Sequence, residues 1–137
     1  MIYWFTGQTG HGKTILGDRL FELLKTEKRN WRKSVFHIDE EKIETSDIYT
    51  IQTIAKYIHD SGCDVVVSCV SPNKNIREEF KSKLGNHIQE FYVYKTNSID
   101  LDYQPPTENF VGVDTTRGSM ETSFNKLVNY LTENNKL

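Results

Sequence analysis

A glycine-rich octapeptide near the amino end constrains the fold of this chain more than any other feature. Residues 7–14 match the pattern G-x-x-x-x-G-K-[ST] at every fixed position. The apolar, β-prone run Ile2–Thr6 precedes them, and leucines 16, 20, 23 and 24 follow at helical spacing. A strand, a glycine loop and a helix in this order predict a phosphate-binding loop, in which backbone N–H groups and the helix N-terminus hold an anion.

The polar positions of this loop have predicted roles toward a nucleoside triphosphate. Lys13 is expected to reach the β- and γ-phosphates of ATP and to act as a catalytic residue, and the Thr14 hydroxyl is placed to ligate Mg²⁺. The alternative, an ordinary glycine-rich turn, leaves this Lys-Thr pair unexplained, and His11 is interpreted as a variable loop position. The nucleotide-binding candidates are Gly7, Gln8, Thr9, Gly10, His11, Gly12, Lys13 and Thr14.

Strands and helical stripes alternate along the chain. The strand runs are continuously apolar, as expected when helices cover both faces of a sheet. We therefore expect a three-layer α/β P-loop nucleoside triphosphatase or kinase fold with a mainly parallel sheet, built as one domain over residues 1–137. Predicted strands span residues 2–6, 34–38, 64–70, 89–94 and 110–113, and helical periodicity covers residues 16–24, 48–58, 75–84 and 120–131. Residues 96–109 lack periodicity and are interpreted as a long surface loop.

Composition and charge exclude several classes of protein. The 137 residues carry 17 basic and 19 acidic side chains, and the net charge of −2 gives no reason to expect nucleic acid or a membrane surface as partner. No run approaches the roughly 20 apolar residues of a bilayer span. Cys63 and Cys69 lack metal-type spacing and are interpreted as reduced, buried thiols. Without a basic segment typical of a secretory signal, the expected location is cytoplasmic.

Acidic residues follow the second predicted strand, at the edge where ligand sites of parallel sheets form. Asp39 is a candidate for binding Mg²⁺ or orienting an acceptor hydroxyl, and is therefore a metal-binding and catalytic candidate. Glu41 is a candidate for contacting the acceptor. For both residues the alternative is a solvated acidic start of the next helix.

The exit of the third predicted strand gives a second set of candidates. Ser71 and Pro72 lie at the same edge, and Arg77 follows six residues later, so the three are substrate-binding candidates. The alternative is a strand exit with a proline stop. A Walker B aspartate is missing there, which disfavours many ATPases and GTPases and favours a small-molecule kinase. The lysines at 74, 81 and 83 are interpreted as a solvated helix face, and Trp4 as sheet core.

Several of these segments resemble the adenylylsulfate kinase (APS kinase) family. Residues 4–14 are similar to its W-x-T-G-L-S-G-A-G-K-[ST] opening, and residues 38–43 to its L-D-G-D-N-I segment. Residues 65–72 resemble its V-I-V-S-F-I-S-P strand exit, residues 99–106 its I-D-D-P-Y-E-P-P stretch, and Arg77 matches an arginine of the family. The resemblance implies a kinase of sulfate assimilation that uses ATP and Mg²⁺ to phosphorylate the 3′-hydroxyl of adenosine 5′-phosphosulfate, and that often forms homodimers.

The chain departs from the family where the family binds its acceptor. The basic lid that precedes the I-D-D-P-Y segment is absent, because residues 96–98 connect almost directly to Ile99. Glu41 replaces the second aspartate of D-G-D, and Glu44 replaces an arginine shortly after it. Two alternatives therefore stay open. One is a kinase for another small acceptor, such as a sugar or a modified nucleotide, and the other is a nucleotide-binding protein with little turnover.

Overall fold

The computed structural model describes residues 1–27 and 33–137, in which strands and helices alternate. A short 3₁₀ turn at Gly85–His87 joins the third helix to the fourth strand. The elements are β1 (Ile2–Thr6), α1 (Lys13–Thr26), β2 (Val35–Asp39), α2 (Ile48–Asp60), β3 (Asp64–Ser68), α3 (Lys74–Leu84), β4 (Ile88–Tyr94), β5 (Phe110–Asp114) and α4 (Met120–Glu133). Within the described ranges, no helix is long and apolar enough to cross a membrane.

The five strands form one sheet in the order β2-β3-β1-β4-β5, and every neighbouring pair is parallel. The register places Asp39 of β2 and Phe5 of β1 on either side of Ser68 in β3. The carboxyl ends of the three strands therefore meet at one edge, where their polar exits can share a ligand. The predicted parallel α/β fold is confirmed.

Helices cover both faces of this sheet, as predicted. On one face, α1 and α4 pack on β1 and β4 through a cluster that includes Leu16, Leu20, Leu24, Leu127, Leu131, Phe5 and Phe91. On the other face, α2 and α3 pack through a cluster that includes Ile51, Ala55, Phe80, Leu84, Trp4, Val65 and Val67. Trp4 is thus a core residue. Because both faces are buried, the central strands carry the uninterrupted apolar runs seen in the sequence.

Three predictions about individual segments are corrected. Strand β3 ends at Ser68 and not at residue 70, because side chains satisfy the backbone of Val70: Thr6 donates to its carbonyl and Glu40 accepts from its N–H. Lys81 is buried against acidic partners and is not solvated. Residues 96–109 contain no helix or strand, yet Tyr103 is only 3% exposed, so the segment is partly core. Of the two thiols, Cys69 is buried and Cys63 half-buried.

Candidate functional site

The phosphate-binding loop, residues 7–14, has a backbone that only glycine permits at two positions. Gly7 has φ of 150°, and a Cβ atom there would lie 2.2 Å from the carbonyl oxygen of Val93 in β4. Gly12 has φ of 107°, and its Cβ would lie 2.3 Å from the Met120 methyl carbon. Gly12 is also the N-cap of α1 and caps the helix with no side chain, so the N–H groups of the first turn are free to bind an anion.

Lys13 begins α1 and folds back over this loop. Its side chain is buried, and Nζ donates to the carbonyl oxygen of Gln8 at 2.8 Å. Burial lowers the pKa of Lys13, and neighbouring acidic groups oppose that shift. The ammonium group thus lies inside the loop and donates to a neutral acceptor, the Gln8 carbonyl oxygen. A phosphate oxygen can replace this acceptor, because a charged acceptor makes the stronger hydrogen bond.

Thr14 and Asp39 converge although 25 residues separate them in the chain. The Thr14 hydroxyl donates to Asp39 Oδ1 at 3.4 Å, and the Glu41 N–H donates to the same oxygen at 3.0 Å. Asp39 is only 2% exposed, and its Oδ2 accepts no hydrogen bond from any residue that the structure describes. Lys42 Nζ lies 4.0 Å from Oδ2. A buried carboxylate oxygen without a hydrogen bond, beside a hydroxyl, is a ligand pair that suits Mg²⁺.

The ligand set available to such a metal is small. Within residues 1–27 and 33–137, no three His, Cys, Asp or Glu side chains are grouped to hold a metal ion. Mg²⁺ characteristically binds through one or two protein oxygens and keeps water and phosphate oxygens as its other ligands. The Thr14–Asp39 pair therefore fits a metal that arrives with a nucleotide, and does not fit a metal caged by protein alone.

A cavity of about 520 Å³ opens beside the loop. Glu41 lines this cavity and therefore lies close to the phosphate-binding loop. The cavity is also lined by Lys95, Thr115 and Met120, which are not among the residues predicted for the site. Lys95 and Thr115 directly follow β4 and β5, a position that marks ligand sites in parallel sheets and could have identified them.

Thr115 also braces the loop, because its hydroxyl donates to the carbonyl oxygen of His11 at 2.6 Å. His11 itself is 4% exposed, and its Nδ1 has no hydrogen-bond partner within residues 1–27 and 33–137. Burial lowers the pKa of His11, with Lys13 and Lys95 acting in the same direction. The imidazole therefore favours its neutral form inside a cationic cavity.

The Ser-Pro exit of β3 forms a second, smaller pocket of about 210 Å³. Its lining comprises Glu40, Ser46, Ile48, Cys69, Ser71, Pro72, Asn73 and Ile76. Ser71 is buried and has φ of 47°, a left-handed conformation that costs about 1 kcal/mol or more for a residue with a side chain. Its hydroxyl lies 2.6 Å from the Cys69 sulfur, and burial raises the pKa of Cys69 to about 12, so this thiol is uncharged at neutral pH.

Arg77 does not line either of these two cavities, so a direct contact with the substrate stays a prediction. Its side chain is 1% exposed and lies 3.3 Å from the Glu90 carboxylate. The guanidinium group donates to the carbonyl oxygens of Ser71 and Gln104. The partners Glu90 and Gln104 lie far along the chain from Arg77, so the sequence pattern around the arginine could not indicate its burial.

A chain of polar contacts runs from the half-exposed Asp18 of α1 through His37 and Ser68 to the backbone of Lys13 in the phosphate-binding loop. His37 Nδ1 lies 2.9 Å from an Asp18 carboxylate oxygen, and His37 Nε2 lies 2.9 Å from the Ser68 hydroxyl. Ser68 Oγ is in turn 3.3 Å from the Lys13 carbonyl oxygen. Because burial lowers the pKa of His37, the ring is neutral and donates from Nδ1 to Asp18. The Ser68 hydroxyl has one proton, which it can donate either to His37 Nε2 or to the Lys13 carbonyl oxygen.

Known proteins share these features to different extents. The sequence model of the adenylylsulphate kinase family matches residues 1–105. An adenylyl-sulfate kinase from a Picosynechococcus species is 27% identical over 165 aligned positions, which cover 95% of this chain and 92% of the relative. Since 165 positions exceed the 137 residues of this chain, that relative contains segments which this chain lacks.

Two further similarities bear on the acceptor and on the fold. A cytidine diphosphoramidate kinase from Campylobacter jejuni is 29% identical over 101 positions, covering 67% of this chain and 59% of the relative. A hexameric APS kinase from Thiobacillus denitrificans has a TM-score of 0.80 at 18% identity, covering 99% of this chain and 29% of that one. The structural similarity supports the P-loop kinase fold.

Proposed function

Because the chain belongs to the adenylylsulfate kinase family, we propose that it transfers the γ-phosphoryl group of ATP to the 3′-hydroxyl of adenosine 5′-phosphosulfate. The observation that carries this proposal is the family match over residues 1–105, which include the phosphate loop, Asp39 and the Ser-Pro exit. The products are ADP and a 3′-phosphorylated acceptor, and the reaction is a step of sulfate assimilation.

The phosphate loop and Lys13 hold the triphosphate in this proposal. The loop N–H groups and the free N-terminus of α1 surround the β-phosphate, and Lys13 exchanges the Gln8 carbonyl for phosphate oxygens. Thr14 and Asp39 would hold Mg²⁺, which would neutralise charge on the β- and γ-phosphates. Positioning and electrostatics supply most of the rate acceleration, because phosphoryl transfer requires little covalent chemistry from the protein.

Asp39 also orients the acceptor. The acceptor oxygen forms a bond to the γ-phosphorus while the bond to the β–γ bridging oxygen breaks, and the hydroxyl proton passes to solvent, because Asp39 Oδ2 is the oxygen that would bind the metal. Glu41 lines the cavity beside the phosphate-binding loop and contacts the acceptor or the water around it. Ser71 and Pro72 bind the acceptor from the neighbouring pocket.

Three properties of the whole molecule complete the proposal. The single five-stranded sheet supports one domain over residues 1–137. The hexameric neighbour supports self-association, and we propose a homodimer, which light scattering of the purified protein would measure. Free cysteines and the use of ATP support a cytoplasmic location.

The experiment that tests this function is an ADP-release assay with a panel of acceptors. The panel contains adenosine 5′-phosphosulfate, cytidine diphosphoramidate, a simple sugar and no acceptor, and the Lys13→Ala variant serves as the inactive control. We expect adenosine 5′-phosphosulfate to stimulate ADP release more than any other compound. Stimulation by cytidine diphosphoramidate alone would overturn the acceptor assignment and favour the specificity of the Campylobacter jejuni relative.

A further inference from the structure

The β3 exit and the segment 103–108 are joined by one buried guanidinium group. Arg77, in the first turns of α3, donates to the carbonyl oxygen of Ser71 on one side and of Gln104 on the other. Its Nε lies 3.3 Å from Glu90 of β4, and its Cζ lies 5.1 Å from the centre of the Tyr103 ring. The side chain is 1% exposed, so all of its contacts are internal. One residue therefore connects two chain segments that are far apart in sequence.

Backbone and side-chain contacts of the same two segments reinforce this connection. The Gln104 N–H donates to the Pro72 carbonyl oxygen at 2.9 Å, and the Lys74 N–H donates to Gln104 Oε1 at 3.0 Å. The Tyr103 hydroxyl lies 2.8 Å from the Thr6 hydroxyl, which itself donates to the Val70 carbonyl oxygen. The Tyr103 ring also stacks on Tyr92 of β4 with centroids 5.7 Å apart. The segment is thus fixed to β1, β3 and β4 together.

A second buried cation fixes the far end of the segment. Lys81, one turn after Arg77 on α3, places Nζ 2.9 Å from Glu90 and donates to the Glu108 carbonyl oxygen at 2.7 Å. Glu90 therefore holds both cations, and each cation holds one part of segment 103–108. A buried pair of this kind is a positioning device more than a source of net stability.

We infer that Arg77 is a positioning residue which locks Ser71 and Pro72 to segment 103–108 and so gives the acceptor pocket a fixed wall. This inference rests on the proposed function. The pocket lining includes Ser71 and Pro72, and Ser71 keeps its left-handed φ of 47° while its carbonyl oxygen is held by Arg77. Strained backbone persists where surrounding contacts over-determine it. A fixed wall supplies acceptor alignment in a chain whose residues 96–98 stand where the family has its lid.

The test compares Arg77→Lys with Lys83→Met. Lysine keeps the positive charge beside Glu90 but lacks the planar fork that reaches two carbonyl oxygens. Lys83 lies on the same helix, is 63% exposed and pairs with the exposed Glu79, so its variant controls for changes on α3. We expect Arg77→Lys to raise the acceptor KM by about tenfold or more, since small misplacements of substrate are costly. The Kd of ATP should stay within about twofold of the wild-type value, because Arg77 makes its contacts with Ser71, Gln104 and Glu90 and not with the phosphate-binding loop.

Hydrogen exchange gives a readout that does not depend on the acceptor. The amides of Lys74 and Gln104 should exchange faster in Arg77→Lys than in the wild type, while the amides of β1 keep their protection. The inference would be overturned if ATP affinity fell by the same factor as the acceptor KM rose. Unchanged exchange at both amides would also overturn it. If adenosine 5′-phosphosulfate does not stimulate the wild type but the two amides still exchange faster in Arg77→Lys, the proposed acceptor is wrong. The role of Arg77 in connecting the β3 exit to segment 103–108 is then still supported.

Discussion

The two sides of the site are built in different ways. The proposed donor half, which comprises residues 7–14 and Asp39, takes nearly all its groups from one short motif, and its helix N-terminus has no side-chain cap, which leaves N–H groups for an anion. The acceptor half, which comprises residues 69–73 and segment 103–108, depends on Arg77 and Gln104, whose side chains connect segments far apart in the chain. A motif can therefore specify phosphate binding locally, whereas acceptor alignment depends on tertiary packing.

This difference predicts how the two halves respond to substitution. In the donor half, a side chain that touches the phosphates can be removed without disturbing the fold, because glycine geometry and the helix N-terminus set the loop. In the acceptor half, the pocket wall is proposed to depend on Arg77, whose side chain is buried and contacts other parts of the protein. Donor variants should lose chemistry, and acceptor variants should lose alignment.

The largest effect is expected for Lys13→Ala. Removing the ammonium group takes away the charge-assisted contact with the transferred phosphoryl group and should lower phosphoryl transfer by about 10²–10³-fold. Titration calorimetry with ATP–Mg²⁺ should also show weaker binding than in the wild type. Lys25→Ala, on the exposed side of the same helix, is the matched control. Equal nucleotide affinity in wild type and Lys13→Ala would refute the phosphate-binding role of the loop.

Asp39→Asn should separate chemistry from folding. We expect turnover to fall at least about tenfold, which corresponds to about 1.4 kcal/mol of barrier. The midpoint of thermal unfolding should move by a few degrees at most, since roughly 1 kcal/mol shifts a domain of this size by several degrees. The variant should also need more Mg²⁺ for half-maximal activity. Glu44→Gln, at an exposed position five residues along the chain, is the control. Unchanged turnover would remove Asp39 from the site.

Gly17→Ala tests the packing beneath the donor half. A Cβ atom on Gly17 would lie 2.3 Å from Ser68 Oγ and 2.9 Å from His37 Nε2. Overpacking of this kind should lower the free energy of unfolding by about 1–3 kcal/mol, measured by urea denaturation. Adding Ser68→Ala removes the closest atom and should restore part of the loss. If the double variant is no more stable than Gly17→Ala, the contact with Ser68 is not the cause.

The smallest effect is a dependence of stability on pH. Burial lowers the pKa of His37 below that of the unfolded chain, so the unfolded state binds more protons between the two values. The free energy of unfolding should therefore fall as the pH drops through about 6.5, the ordinary histidine pKa. His11 and His59 shift in the same direction, so His37→Gln should flatten this dependence only in part. An unchanged pH profile in His37→Gln would contradict a neutral, buried imidazole.

The sequence predicts the donor half better than the acceptor half for a physical reason. The order of β1, phosphate loop and α1 follows from local spacing, and Asp39 follows from the rule that parallel strands expose their carboxyl ends at one edge. The burial of Arg77, Lys81 and Tyr103 follows from no local pattern. Their partners are supplied by β1, β4 and a loop, and only the folded sheet brings these together.

Following the γ-phosphoryl group of ATP is the most direct test of transfer to adenosine 5′-phosphosulfate. ATP labelled at the γ-phosphorus would be incubated with the protein and adenosine 5′-phosphosulfate, and the label would be divided between the acceptor and inorganic phosphate. We predict that label appears on the 3′-oxygen of the acceptor. The rate should be below the roughly 10 s⁻¹ of a typical enzyme, because the chain lacks the family's lid. We also predict a measurable share of the label in inorganic phosphate. Label found only in inorganic phosphate would contradict the account.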